Sequence, residues 1–339
     1  MDLRFIEIGN GCSTNGILKN EYQYVAGHQL ERQINQLIDP TIMDLFSTEY
    51  SYAGGGNLLT MKRRGVWENP TGDYHDLTAD QYGQIDNLVY NYVSTTGNGR
   101  RLEGITENNV GLGKALGLPA TTSFEYDLLG NILFMSAREA ELGGYNPLNL
   151  PGTMTVKGQE IRHTYDASGA NTKIERVDGV TTRYGGPAVI QDDELTLAFS
   201  DGRILLSFKT ASGEPSETPT GIRYQYKIKD HLRHGPRRGV GALRKPPCKP
   251  TVVYFEDLDG DGQIIDGVDA TEVLQRELYY PFGLPLTNRW EKPGPALTPA
   301  QDFLYNGKEM ERTEDLNLQF YGARWYDPVV VKCSIAISS

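Results

Sequence analysis

A tyrosine-glycine motif that recurs about every twenty residues is the feature that most constrains this fold. Three segments contain it: YSYAGGGNLL, FEYDLLGNIL and HTYDASGANTKI. Their alignment superimposes three tyrosines, three glycines and two asparagines: Tyr52, Tyr126, Tyr165, Gly56, Gly130, Gly169, Asn57 and Asn131. Tyr92 opens a looser copy, and Tyr145 opens another, YNPLNLPGTMTV, midway between two of the three. A unit of this length cannot bury its own apolar side chains, so the units must stack on one another.

Each copy has the residue order of a strand followed by a tight turn. Alternating residues that end in aromatic-x-Tyr place tyrosine rings on one face of a strand, where they cover neighbouring strands. Asp127 and Asp166 stand at the turn entry, where a carboxylate accepts hydrogen bonds from the backbone N–H groups ahead of it. Gly130 and Gly169 suit a position with positive φ, and we expect Asn131, like its equivalent in the first copy, to take the next left-handed position. The pattern predicts antiparallel hairpins.

Composition supports an all-β protein. The chain has 38 Gly, and its 20 Tyr outnumber its 10 Phe. Glycine costs about 1 kcal/mol at each helix-interior position, whereas turns and half-buried strands favour Gly and Tyr. A net charge of −11 disfavours binding to nucleic acid or to an anionic membrane. Three widely spaced cysteines, Cys12, Cys248 and Cys333, predict neither a disulfide framework nor a zinc site.

The N-terminal sequence MDLRFIEIGNGCSTNG lacks the basic and apolar regions of a signal peptide. No apolar run approaches the ~20 residues that a membrane span needs. We therefore expect no membrane span, and the compartment stays unassigned.

The motif Tyr-Asp-x-x-Gly-Asn resembles the YD repeat of RHS proteins. Further stretches similar to that family follow in its usual order: IDNLVYNY, YNPLNLP, Asp-Gly-Arg at 201–203, YQYKIKDHL, DLDGDGQI, YYPFGLPL, FLYNGKEM and LQFYGARWYDP. The resemblance covers residues 48–328, and its last part is similar to the RHS repeat-associated core. It implies a secreted or cell-surface hollow β shell, often wound around a C-terminal toxin domain. The implied partners are other RHS/YD repeats or an encapsulated toxin.

Four regions follow from the motifs and from shifts in composition. They are a poorly defined N-terminal segment (1–47), a YD-repeat sheet (48–232), a basic insert (233–250) and an RHS-type core with a truncated C-terminus (251–339). The insert holds six Lys or Arg, four Pro and no acid. We interpret it as a flexible or out-of-frame segment, and a loop that binds nucleic acid or a partner is the alternative. Residues 28–38, HQLERQINQLI, predict a short helix or a poorly formed strand.

Two departures from the family pattern predict a fragment or a degraded paralogue. The first is the basic insert, which separates YQYKIKDHL from VVYFEDLDGDG. The second is the ending VVVKCSIAISS after YDP, where the family continues with a Gly-Arg-Phe strand and a further Asp-Pro. We therefore expect a non-catalytic structural module that lacks the toxin domain.

The run DLDGDGQI contains the best candidate for a metal site. Asp257, Asp259 and Asp261 occupy positions 1, 3 and 5 of an EF-hand-like loop, and Gln263 follows the glycine at position 6. Position 12 is Val268 instead of the bidentate glutamate, and both flanks have strand character. The run therefore predicts an acidic hairpin turn with at most weak Ca²⁺ binding. A calcium-dependent surface or adhesion module is one alternative function.

A self-cleaving aspartyl-type shell is the other alternative function. Such cleavage needs carboxyl groups that are close enough to share a proton. The candidate acids are Glu309, Glu311, Asp315 and Asp327, with Arg324 nearby in the sequence. Without the downstream Asp-Pro this set is incomplete. We expect these acids to be solvated turn residues, with Arg324 paired to a local acid. The sequence thus predicts no catalytic residue and no cofactor.

Overall fold

The computed structural model describes residues 3–8, 18–25, 29–37, 46–66, 82–93, 101–109, 118–199, 202–210, 212–229, 252–256, 273–277, 279–285, 303–322 and 324–333. These residues form two antiparallel sheets, of 20 and four strands. The first sheet consists of β1 (Leu3–Ile8), β2 (Leu18–Tyr24), β3 (Leu30–Leu37), β4 (Thr48–Tyr52), β5 (Leu58–Val66), β6 (Tyr82–Tyr92), β7 (Leu102–Glu107), β8 (Thr121–Tyr126), β9 (Ile132–Met135), β10 (Ala140–Gly143), β11 (Thr153–Val156), β12 (Gln159–Tyr165), β13 (Asn171–Arg176), β14 (Thr181–Gly185), β15 (Ala188–Gln191), β16 (Glu194–Phe199), β17 (Gly202–Ser207), β18 (Gly221–Lys229), β19 (Val252–Glu256) and β20 (Val273–Glu277). The second sheet consists of β21 (Glu309–Glu311), β22 (Leu318–Phe320), β23 (Trp325–Asp327) and β24 (Lys332–Cys333).

The first sheet is a continuous meander. Each strand pairs with the strands before and after it in the chain, and every such pair is antiparallel. The predicted all-β antiparallel class is therefore confirmed. Of the two possibilities for residues 28–38, the strand is correct, because β3 pairs with β2 from Leu30 to Leu37. Strands β1 to β3 thus extend the meander on the N-terminal side of residue 48.

The turn between β8 and β9 shows how the motif works. The N–H of Asp127 donates to the carbonyl of Asn131 (2.9 Å), and the N–H of Gly130 donates to the carbonyl of Asp127 (3.1 Å). The Asp127 carboxylate accepts the N–H groups of Leu129 and Asn131 at 2.9 and 2.8 Å. Gly130 has φ 87°, as a three-residue hairpin loop with a glycine bulge requires. The predicted roles of the aspartate and the glycine are confirmed.

The prediction for the asparagines is wrong. Neither Asn57 nor Asn131 has a positive φ, because the glycine before each already provides the one left-handed position of the loop. Asn131 is instead buried, and its amide donates to the Asp127 carboxylate at 2.8 Å and to Asn149 Oδ1 at 3.3 Å. The asparagine therefore connects one turn to the next.

The turn after Tyr145 is a copy of the motif made from different residues. Asn146 takes the place of the aspartate, and its side-chain oxygen accepts the N–H groups of Leu148 and Leu150 at 2.9 and 3.0 Å. Asn149 takes the place of the glycine, with φ 57°. Both substitutions are chemically reasonable, since asparagine accepts the same hydrogen bonds as aspartate and tolerates the left-handed region.

Five tyrosine hydroxyls bind each repeat to the strand before it. Each hydroxyl donates to a backbone carbonyl at the first residue of the preceding strand or, for Tyr165, two residues before it: Tyr52 to Leu30, Tyr92 to Leu58, Tyr126 to Leu102, Tyr145 to Ile132 and Tyr165 to Pro151. Burial raises the pKa of Tyr52, Tyr92 and Tyr165 to about 12. The hydroxyls therefore keep their protons, and remain donors, at neutral pH.

The basic insert lies in the connection between two paired strands. Strands β18 and β19 are antiparallel neighbours, with Lys229 opposite Val252. Residues 233–250 themselves lie outside the described ranges, so their predicted flexibility stays a prediction.

Both sheets contribute to one hydrophobic core. Met61, Leu88 and Ile161 of the first sheet belong to the same buried cluster as Leu318 and Trp325 of the second. The second sheet is thus packed on one face of the meander.

Candidate functional site

The candidate site is the seam between the two sheets, which we define by three arginines of the first sheet region: Arg63, Arg138 and Arg176. Each arginine contacts the polypeptide between residues 311 and 329. Guanidinium groups in so apolar an environment must be paired, because an isolated buried charge is strongly unfavourable.

Arg63 is completely buried in β5 and forms an ion pair with Asp86 of β6 (2.6 Å). Its other nitrogens donate to the backbone carbonyls of Val329 (2.6 Å) and Pro328 (3.4 Å). The Tyr90 hydroxyl donates to the next carbonyl along, that of Val330, at 3.0 Å. Three successive carbonyls after β23 are therefore held by side chains of the first sheet.

Arg138 and Asp327 form a buried two-bond pair. The guanidinium Nε and Nη2 lie 3.1 Å from the two carboxylate oxygens. Asp327 also accepts the N–H of Val329 at 2.8 Å. Burial alone would lower the pKa of Arg138, but the Asp327 carboxylate outweighs this effect and raises it. The geometry is that of a bidentate arginine–carboxylate pair, which is stronger than a single hydrogen bond between neutral groups.

Arg176 and Glu311 form the third pair, at 2.7 Å. Burial alone would raise the pKa of Glu311, but Arg176 and the hydrogen bonds of Thr313 outweigh it and hold that pKa below its usual value. A carboxyl group held ionised in this way is a poor proton donor.

The remaining candidate acids divide into a half-buried one and an exposed one. Glu309 accepts the Tyr184 hydroxyl at 2.6 Å. Asp315 is exposed and lies 3.4 Å from Lys157. The expectation of solvated turn residues is therefore wrong for Glu311 and Asp327, which are buried against arginines.

The expected partner of Arg324 is also different. Burial raises the pKa of the Cys333 thiol, and the nearby Arg324 guanidinium partly opposes this rise. In the part of the chain that the structure describes, no acid lies within ion-pair distance of Arg324.

His163 lies beside the seam without a charge. Its ring is packed edge-on against Trp325, with 5.0 Å between centroids. Burial lowers the pKa of His163 to about 4, with a smaller opposing effect of Glu311 and a further lowering by Arg176. The imidazole is therefore neutral at physiological pH.

The predicted metal ligands, Asp257, Asp259, Asp261 and Gln263, lie outside the described residues. Of the flanking strands, β19 precedes this run, and β20 begins at Val273. Among the side chains that the structure describes, no group of three His, Cys, Asp or Glu could hold a metal ion. Within the same ranges, no helix is long and apolar enough to cross a membrane.

Comparisons with known proteins identify the fold. Two crystal structures, of TcdB2-TccC3 and of TcdB2-TccC3-Cdc42, match 98% of this chain with a TM-score of 0.51 and 14% sequence identity. The likeness is one of fold. This chain spans 17% of the length of the chains it matches. No protein-family model and no curated protein matches the sequence.

The seam arginines were missed by sequence reasoning, although one signal was available. In β5, LLTMKRRGV, the buried positions are Leu58, Met61, Arg63 and Gly65, so the strand's alternation places an arginine on the inward face. A charged residue in the inward phase indicates a buried partner. The partners themselves lie too far along the chain for any local pattern to identify them.

Proposed function

We propose that this chain is a non-catalytic structural module of an RHS/YD-repeat shell. The observation that carries the proposal is the repeated unit, in which the hydroxyl of a half-buried tyrosine bonds each of five repeats to the strand before it. Such a unit extends a wall by simple repetition, and each added hairpin contacts its neighbours. The likeness of fold to TcdB2-TccC3 over almost the whole chain supports the same role.

The chemistry of the seam favours a structural role over self-cleavage. A carboxyl dyad works when mutual repulsion keeps one of its two groups protonated. Here Glu311 and Asp327 are each bound to their own arginine, and the pKa of Glu311 is lowered. We propose that these acids anchor the second sheet to the wall.

Three measurements test the proposal. Intact-mass spectrometry of the purified chain, incubated at neutral pH, should show one species that persists. Asp327→Asn should lower the melting temperature, whereas the matched change Asp315→Asn, at an exposed acid, should not. A discrete C-terminal fragment that forms in the wild type and disappears in Asp327→Asn would favour the self-cleaving alternative.

The third measurement is electron cryomicroscopy of the chain expressed together with its flanking coding sequence. The described meander should form part of a larger continuous β wall. A separate globular domain connected to the rest only by a linker would contradict the proposed role.

A further inference from the structure

Three motif segments that are separated in the sequence surround one cavity of about 430 Å³. The segment YYPFGLPL contributes Phe282, FLYNGKEM contributes Tyr305, and LQFYGARWYDP contributes Tyr321 and Tyr326. These four aromatic rings form most of its wall. The volume is in the range of small-molecule sites, which are mainly apolar and contain a few well-placed polar groups.

Two of the four rings, those of Tyr321 and Tyr326, are fixed by hydrogen bonds of their hydroxyl groups. The Tyr326 hydroxyl donates to the carbonyl of Phe282 at 2.7 Å, and the Asn306 amide donates to the Tyr321 hydroxyl at 3.1 Å. Tyr321 and Tyr326 meet edge to face, with 5.6 Å between centroids and 75° between ring planes. The cavity wall is therefore preorganised, which reduces the entropy lost when a ligand binds.

Backbone strain is concentrated at the same place. Phe282 has φ 69° and Asn306 has φ 54°, and a bulky residue such as phenylalanine rarely occupies this region. A side chain at Gly283 would overlap the ring of Tyr305. Strained positions of this kind persist where the surroundings hold them, and they cluster at ligand sites.

The charges around the cavity are cationic. Arg324 lies on the wall, and Lys308 lies over the Tyr321 ring at 5.3 Å. The acid next to Tyr326, Asp327, is bound to Arg138 on the other side. An anion is therefore favoured, and a planar guanidinium is suited to a carboxylate.

We propose that this cavity binds a planar aromatic ring that bears a carboxylate. The ring packs against the tyrosines, and the carboxylate accepts hydrogen bonds from Arg324. Two sources have this chemistry: a free aromatic acid and a polypeptide that ends in an aromatic residue.

The test is isothermal titration calorimetry of the full chain with indole-3-acetate, N-acetyltryptophan and N-acetyltryptophanamide. We expect the two acids to bind with Kd on the order of 0.1 mM, and the amide at least about tenfold more weakly. The tighter of the two acids identifies the source: indole-3-acetate represents a free acid, and N-acetyltryptophan represents a chain terminus. Absence of binding by both acids, or equal binding of acid and amide, would overturn the proposal.

Variants then assign the binding to Arg324. Arg324→Gln should weaken both acids about tenfold to a hundredfold, the effect of losing a charge-assisted hydrogen bond, and should leave the amide unchanged. Arg183→Gln, a change at an exposed arginine of β14, is the matched control and should alter nothing. If Arg324→Gln does not fold, the comparison of acid with amide on the wild type still decides.

Cys333 provides an independent measure of location, because it lines the cavity. In a chain with Cys12→Ser and Cys248→Ser, maleimide labelling of Cys333 should slow when either acid is saturating. Acid binding without this protection would place the ligand elsewhere and overturn the proposal.

Discussion

Removing the guanidinium of Arg63 should destabilise the protein more than removing any exposed charge. Arg63 is fully buried, and its substitution leaves Asp86 unpaired and two carbonyls without their donor. Breaking a buried ion pair by removing one partner costs about 3–5 kcal/mol, a large part of the 5–15 kcal/mol that stabilises a typical protein. We therefore expect Arg63→Met to lower the free energy of unfolding by about that amount. Replacing both partners, Arg63→Met with Asp86→Leu, should recover part of the loss, because no buried charge is then left alone.

The assay is urea denaturation followed by tryptophan fluorescence, with Trp325 in the seam as a reporter. The matched control is Arg162→Met, since Arg162 pairs with Glu160 at 2.5 Å but is 66% exposed. Exposed pairs contribute only about 0–1 kcal/mol, so this variant should lie close to the wild type. If the two single variants lose the same stability, or if the double variant is less stable than Arg63→Met, the reasoning about the seam is refuted.

Four further outcomes are expected. Burial lowers the pKa of His163 from 6.5 to about 4. Between pH 6.5 and pH 4 the imidazole is therefore protonated in the unfolded chain but not in the folded one. Stability should decrease by about 3 kcal/mol across that window, and His163→Gln should remove this pH dependence in urea titrations. Tyr126→Phe should lower the free energy of unfolding by about 1 kcal/mol in urea denaturation, whereas Tyr224→Phe, at a half-exposed ring, should lower it hardly at all. Equal losses would contradict the stabilising role of the tyrosine hydroxyls that bond to the preceding strand. Replacing residues 233–250 by Gly-Asn should raise the melting temperature, and unfolding of that variant would show that the insert is a real element. Millimolar Ca²⁺ should raise the melting temperature only slightly, and a micromolar calorimetric titration that Asp257→Ala abolishes would contradict this.

The turns could be predicted from the sequence because their chemistry is local. Asp127 and Gly130 interact with atoms at most four residues away, so a short motif contains all the information the turn requires. A motif defined by residue identity does not find every copy of the turn. After Tyr145, Asn146 has the role of the aspartate and Asn149 the role of the glycine.

The seam and the cavity could not be predicted in this way. Arg138 and Asp327 are 189 residues apart, and only the three-dimensional packing of the two sheets brings them together. The expectation that Asp327 would be a solvated turn residue failed for this reason. Its sequence neighbours resemble those of an exposed turn, and its burial comes from the other sheet.

The long sequence separation across the seam also means that the seam arginines are synthesised well before their acidic partners. At about 5–20 residues per second, Arg138 leaves the ribosome roughly 10 to 40 seconds before Asp327 does. Arg176 precedes Glu311 by 135 residues, so it is synthesised roughly 7 to 27 seconds before its partner. The meander pairs neighbour with neighbour and can form throughout this interval, but the face that will receive the second sheet keeps uncompensated cations among exposed apolar side chains. A chain whose synthesis stops before residue 311 therefore exposes the apolar face of the meander together with Arg138 and Arg176, and this face is covered only when β21 to β24 have been made.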